Sequence, residues 1–173
     1  MTAPSRGGQH LAIRYGLGPY PGTHGEVICS AKLVPVVGPH SPIRELKEPF
    51  IQENSSILIA DRTGETDGTE FCRATYFCGR NWTGAQVESS TSFARADLAL
   101  QAAICGMGVA LGRTLLVEDD IHNGFLIPIG KSVATKAKYW IVTTASFSAT
   151  PTYREIRKFF KEEVQNSAQV YAL

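Results

Sequence analysis

The chain has 173 residues, 43% of them hydrophobic, and its 17 Lys and Arg against 16 Asp and Glu leave a formal charge of +1. This is the composition of one globular domain or two small lobes, and at this length folding buries roughly 70% of the surface that an unfolded chain exposes, enough for a core without disulfides or metals. A near-zero charge with no block of Lys and Arg argues against a chain whose main work is gripping nucleic acid, and the longest uncharged, largely apolar run, Leu98 to Gly112, falls short of the ~18 to 20 residues that a bilayer requires.

Met1 to His10 is small and polar, with no apolar segment behind a basic one, so no secretory signal is expected and a cytoplasmic location follows. Leu11 to Tyr15 (LAIRY) is a short β-type run that stops at a loop locked by Gly16, Gly18, Pro19, Pro21 and Gly22. Val27 to Val37 is β-rich but carries Pro35, which cannot donate to a ladder, so two short strands or a bent connector are expected there. Pro39, Pro42 and Pro49 bracket a polar connection to a buried-strand signature at Ile57 to Ala60. Arg62 to Asp67 (RTGETD) reads as a turn cluster, and Thr69 to Cys78 as a short helix that Asp67 could cap and Gly79 ends.

The clearest central helix is expected from about Phe93 to Cys105, with Leu98, Ala102 and Cys105 on one face, a hydroxyl-rich start and Gly106 as its stop. Val109 to Leu111 is a very short buried strand, Arg113 to Asp120 a helical turn, and Asn123-Gly124 a tight turn into Phe125 to Ile129. Tyr139 to Thr144 is the most strand-like run. For the last helix, Thr150 can cap, Pro151 fits the first position, and Thr152 to Glu155 matches a capping box. Tyr153, Ile156, Phe160 and Val164 then recur at helical spacing, as in an amphipathic helix packed on a sheet. Strands alternating with helices favour α/β layers.

Few residues announce chemistry. Cys29, Cys72, Cys78 and Cys105 and His10, His24, His40 and His122 lack metal-ligand spacing, so the thiols are expected reduced and mostly buried, the histidines in loops, and no metal or other cofactor is expected. The glycines of Gly106 to Gly112 follow a helix and surround a strand, the reverse of a dinucleotide site, and read as a helix stop and close backbone packing. Asn81-Trp82-Thr83 matches a glycosylation sequon and, with no secretory signal expected, reads as a coincidence of composition. With no nucleophile elbow and no carboxylate pair, nothing nominates an enzyme. Ser89, Ser90, Thr91 and Ser92 either cap the central helix or present hydroxyls and N–H groups to an anion. Arg14 and Tyr15, at a strand end beside a glycine loop, stand where open α/β sheets bind ligands, or are a surface arginine and a packing tyrosine.

Taken in order, LAIRYG (Leu11 to Gly16), the glycine- and proline-bearing loop through Gly22, LVPVVGPHSP (Leu33 to Pro42), LALQAAICGMGVALGRTLLVEDDI (Leu98 to Ile121), NGFLIPI (Asn123 to Ile129) and YWIV (Tyr139 to Val142) resemble one family. It is the effector-binding domain of LysR-type transcriptional regulators, above all the branch containing the glycine-cleavage and β-lactamase activators. The resemblance runs from about His10 to Val164. It implies an α/β fold of two Rossmann-like lobes joined by crossing strands, as in type II periplasmic binding proteins, with a small inducer in the cleft. Residues 10–38 and 138–173 would form the first lobe and residues 39–137 the second. Ser89 to Ser92 then resembles the second lobe's contribution to the cleft, and Tyr139 stands where a crossing strand enters it.

The family precedes its LAIRYG strand with a strand-helix-strand unit and, earlier still, a winged helix-turn-helix on a linker helix, whereas this chain begins almost at the strand. The expectation is therefore a sensor domain with an incomplete first lobe and no DNA binding by this chain alone. A free-standing solute-binding protein and a truncated remnant that self-associates through an exposed sheet edge are the competing readings. The partners implied are a small anionic metabolite effector and, in the full-length family member, further copies of the chain, with no membrane. Arg95 stands where the family usually has aspartate, which either favours a more anionic ligand or points the side chain to solvent.

Overall fold

The computed structural model describes residues 11–45, 51, 54–66, 68–69, 73–82 and 91–170. In chain order the strands are β1 (Leu11–Gly16), β2 (His24–Val37), β3 (Leu58–Asp61), β4 (Ser92–Phe93), β5 (Val109–Arg113), β6 (Ile127–Pro128) and β7 (Val133–Thr143). The helices are α1 (Arg62–Thr66), α2 (Arg73–Gly79), α3 (Ala96–Ile104), α4 (Thr114–His122), α5 (Ala145–Ser148) and α6 (Pro151–Val170). They form two compact units, residues 1–30 with 136–173 and residues 31–135. The chain passes from one to the other inside β2, after Ser30, and inside β7, after Thr135, where the expected boundaries lay at residues 38 and 138.

In the unit of residues 31–135 the strand order is β2-β5-β3-β4, with β6 on the other edge of β2. β5 runs antiparallel to β2, pairing Leu33 with Arg113 and Val36 with Ala110, while β3 is parallel to both β5 and β4. Alternation along these strands sends Leu33, Leu58 and Val109 to one face, where they pack with Tyr76 and Phe77 of α2. Val34, Ile59 and Ala110 go to the other, against Ala99 and Ala103 of α3 and Val117 of α4. Burial on both faces explains why these strands read as continuous apolar runs. The small residues of α3 let it approach closely. Gly38 N donates to Ala103 O at 2.9 Å, and a Cβ on Gly38 would lie only 2.7 Å from that same oxygen.

Pro35 does not break β2, which continues through it opposite Leu111 of β5. Its carbonyl accepts from Ile129 N at 3.0 Å, on the β6 side. Because N and C=O of one strand residue point the same way, the missing N–H also faces β6, whose pairing lasts only two residues, and the β5 ladder loses nothing.

Several local expectations are corrected. The RTGETD segment is helical over Arg62–Thr66, because the Asp61 carboxylate accepts from Thr63 N at 3.1 Å and so caps that turn. α2 starts at Arg73, and the proposed cap Asp67 lies outside the described residues, as does Cys72. α3 starts at Ala96 rather than Phe93, and its buried side is Ala99, Leu100, Ala102 and Ala103. Leu98 is exposed, and so is Cys105, which follows the last helical turn. Cys78 is exposed on the outside of α2 and Cys29 is half-buried, so the described thiols are not mostly buried; burial pushes the Cys29 thiol up. His24 opens β2 and His122 closes α4, where loops were expected.

In the unit of residues 1–30 and 136–173 the order is β1-β7-β2, with β1 antiparallel to β7 from Leu11 opposite Thr143 to Gly16 opposite Lys138. Thr150, not Thr152, caps α6: its hydroxyl accepts from Tyr153 N at 3.2 Å. Tyr153 is buried, and Glu26 of β2 is held by Arg157 at 2.7 Å and Lys161 at 2.5 Å, so α6 is pinned to the strand over more than two turns. Burial by itself would raise the Glu26 carboxyl, but the hydrogen bonds and charges of Lys161 and Arg157 outweigh it and hold it below its usual range. Burial, followed by the adjacent Glu26 charge, pushes the Tyr153 phenol up.

Candidate functional site

Arg14 and Tyr15 end β1, and alternation turns them to opposite faces of the sheet. Tyr15 lies directly opposite Tyr139 of β7, with ring centroids 5.3 Å apart and planes at 53°. Both phenol oxygens are shielded from solvent, and Tyr139 is 7% exposed. A pair of neighbouring phenols on one face offers two hydroxyls that can each donate and accept, the kind of group that fixes a small polar ligand.

Arg14 pairs instead with Trp140 across the ladder. Its guanidinium stands 5.1 Å from the centre of the Tyr20 ring, and Tyr20 meets Trp140 edge-on with centroids 6.0 Å apart. Trp140 Nε1 donates to Gly16 O at 3.0 Å, which fastens the glycine loop to the strand. Gly18 has φ +51°, and a Cβ there would lie 2.5 Å from the nearest indole carbon, so only glycine lets the loop lie on this ring. Sequence reasoning missed Tyr20 and Trp140. The signal available was a Tyr between two prolines in the same loop and a Trp next to the chosen Tyr139.

In the unit of residues 31–135, Thr91 and Ser92 do not begin a helix. Ser92 is in β4 opposite Ala60, and Thr91 O accepts from Ala60 N at 3.0 Å. Ser89 and Ser90 lie outside the described residues. The parallel strands β3 and β4 end at Asp61 and Phe93; α1 follows β3 at once, and α3 follows β4 after Ala94 and Arg95. The Thr63 hydroxyl donates to Ala94 O and ties the two connections together. Ligands of parallel α/β sheets bind at such carboxyl ends, where helix N-termini present free N–H groups. Asp61 and Thr63 were not singled out from sequence, because the segment reads as a turn.

Arg95 occupies the N-cap position of α3 without a side-chain cap, and its guanidinium grips Asp97 through two bonds of 2.9 and 2.7 Å. Both side chains are exposed, and the Arg95 hydrogen bonds hold the Asp97 carboxyl below its usual range. Among the described residues no group of three or more His, Cys, Asp or Glu could hold a metal ion, and no described helix is long and apolar enough to cross a membrane.

Residues 5–165 match the family model of the LysR substrate binding domain. The glycine cleavage system transcriptional activator of Escherichia coli strain K12 is 30% identical over 135 residues, which is 76% of this chain and 42% of that protein. The chain thus spans less than half the length of that relative. Among solved structures, the AmpR effector binding domain from Citrobacter freundii matches with a TM-score of 0.66 at 21% identity, covering 91% of this chain and 75% of that one. The effector domain of AmpR of Pseudomonas aeruginosa gives 0.65 at 19% identity, with 92% and 74% covered. The CrgA regulatory domain from Neisseria meningitidis gives 0.55 at 14% identity, with 87% and 74% covered. At these identities the structural likeness is one of fold, and it is the α/β, type II periplasmic-binding-protein-like fold expected from the sequence. The family match over nearly the whole chain supplies the rest: this chain belongs to the LysR substrate-binding-domain family, the effector-binding part of LysR-type transcriptional regulators.

Proposed function

We propose that the chain binds a small anionic metabolite reversibly and without turning it over, and that in a longer regulator this occupancy biases the DNA-reading part. The observation that carries the reading is the family match over residues 5–165. The residues proposed for this binding are the Tyr15 and Tyr139 phenols in the unit of residues 1–30 and 136–173 and, taken by itself, the hydroxyl run Ser89 to Ser92 ahead of α3 in the other unit. Hydroxyls and the positive end of a helix dipole favour a carboxylate or similar anion. Arg14, on the opposite face from Tyr15, contributes positive potential at the same strand end rather than a shared contact with the phenols. The protein works in the cytoplasm, in more than one copy, and this chain alone makes no specific contact with DNA.

A thermal-shift screen of glycine, L-glutamate, succinate, citrate and phosphoenolpyruvate, followed by calorimetry, tests the reading. An anionic member of the set is expected to raise the melting temperature, and Tyr139→Phe and Thr91→Val to weaken it at least about tenfold, the loss of roughly one hydrogen bond to a charged group. Stabilisation by none of the anions at millimolar concentration would overturn it, as would tight sequence-specific DNA binding by this polypeptide in a mobility-shift assay.

A further inference from the structure

α6 is held to its sheet unevenly. Its first turn is fixed by the Thr150 cap and by the buried Tyr153, whose ring meets His24 and Phe147 edge-on with centroids 5.7 and 6.3 Å away. Past that turn no described side chain of the helix is buried: Ile156, Phe160 and Val164 are half-buried, and Phe159 is 57% exposed. We propose that α6 beyond Tyr153 is a latched segment, one that leaves and rejoins the sheet as a unit while β1, β7 and β2 stay paired, with Glu26 as its latch. The inference does not rest on the ligand reading.

Glu26 collects donors from three successive turns of the helix. Tyr153 Oη donates to its carboxylate at 3.3 Å, Arg157 Nε at 2.7 Å and Lys161 Nζ at 2.5 Å. Residues four apart lie one above the other on a helix face, so a single strand carboxylate reaches along more than two turns. The sheet has no substitute for it, because β1, β2 and β7 carry no other Asp or Glu. The acids of α6 itself are exposed, and one of them, Glu162, lies 3.8 Å from Lys158.

Glu26, Arg157 and Lys161 all keep partial contact with water, so parting them returns charges to solvent and costs much less than opening an apolar core. The sheet is held by other means. The β1–β7 ladder runs unbroken from Leu11 opposite Thr143 to Gly16 opposite Lys138, and its backbone bonds use no group of α6. A segment with few buried contacts opens below the free energy of global unfolding, and moving elements are drawn from such segments. The part of this unit able to move with its sheet intact is therefore α6.

Native-state hydrogen exchange of the 173-residue chain, read by mass spectrometry through low urea, tests this. The amides of α6 beyond Tyr153 are expected to share one opening, protected at least about tenfold less than those of β7 and with a smaller urea dependence. Glu26→Gln should favour that opening at least about tenfold, since charge-assisted hydrogen bonds are lost. In the unsubstituted chain, raising NaCl from about 0.05 to 1 M should speed α6 exchange at least about threefold relative to β7, because screening weakens a partly exposed ion cluster. This salt arm keeps the proposal open to refutation if Glu26→Gln fails to fold. Equal protection of α6 and β7, α6 amides that open one by one from the helix end, or an opening that neither Glu26→Gln nor salt changes would each overturn it.

Discussion

Tyr15 and Tyr139, 124 positions apart in the chain, face each other across the β1–β7 ladder with ring centroids 5.3 Å apart. The pair is both a packing unit and the proposed effector contact, and two substitutions separate these roles. Tyr139→Phe keeps the ring and is expected to leave the fold intact while weakening the anion. Tyr139→Ala removes a buried aromatic and should cost about 3 kcal/mol, read from the midpoint of denaturant unfolding. Loss of anion binding only in the alanine variant would make the pair a packing unit alone.

Glu26 links stability to pH. Its carboxyl titrates below the ordinary 4.5 in the folded protein, since Lys161 and Arg157 outweigh the opposing effect of burial. The stabilisation is therefore fully present above about pH 4.5 and is lost as pH falls through the lowered folded value. Glu26→Gln should reduce stability by about 2 kcal/mol at neutral pH, a charge-assisted hydrogen bond's worth. It should also flatten the acid limb of the stability curve, which thermal melts at pH 3 to 7 would follow. An unchanged acid limb would place the titration elsewhere.

Gly38, just past β2, packs against the end of α3, with its N–H on Ala103 O and no space for a side chain beside that carbonyl. Gly38→Ala must push α3 away from the sheet, and a loss of about 2 kcal/mol is expected on unfolding. Gly124→Ala is the useful contrast. There a Cβ meets nothing within 4 Å, and the cost should come only from its φ of +75°.

Arg95 and Asp97 form an exposed pair next to the α3 start, so Arg95→Ala should leave the melting temperature nearly unchanged. Its effect belongs to binding. If the anion is taken up near this helix end, Arg95→Ala should weaken it several-fold and Arg95→Asp more strongly, measured by calorimetry with the best anion of the screen.

Local chemistry was enough to identify β1, β3, the β5 core and α6, because each is carried by its own residues: a short run closed by a glycine loop, apolar runs, a proline behind a threonine cap. It misplaced the start of α3, where the hydroxyls of Thr91 and Ser92 look like caps but β4 pairs with β3 and Arg95 takes the cap position. It broke β2 at Pro35, since which edge lacks the N–H depends on a partner strand more than 90 residues away. The same limit applies to the candidate residues. Arg14 and Tyr15 are adjacent in sequence, yet the pleat separates them, and Tyr15 finds its partner only in β7.

By itself, then, the sequence determined the alternation of strands and helices, the strongly capped final helix and the family, because propensity, capping and motif order are local or additive. The tertiary structure alone decided the rest: that Tyr15 and not Arg14 joins Tyr139, that Trp140 carries the glycine loop, and that Glu26 anchors α6. Those outcomes depend on strand register, and register is set by which distant faces must be buried together.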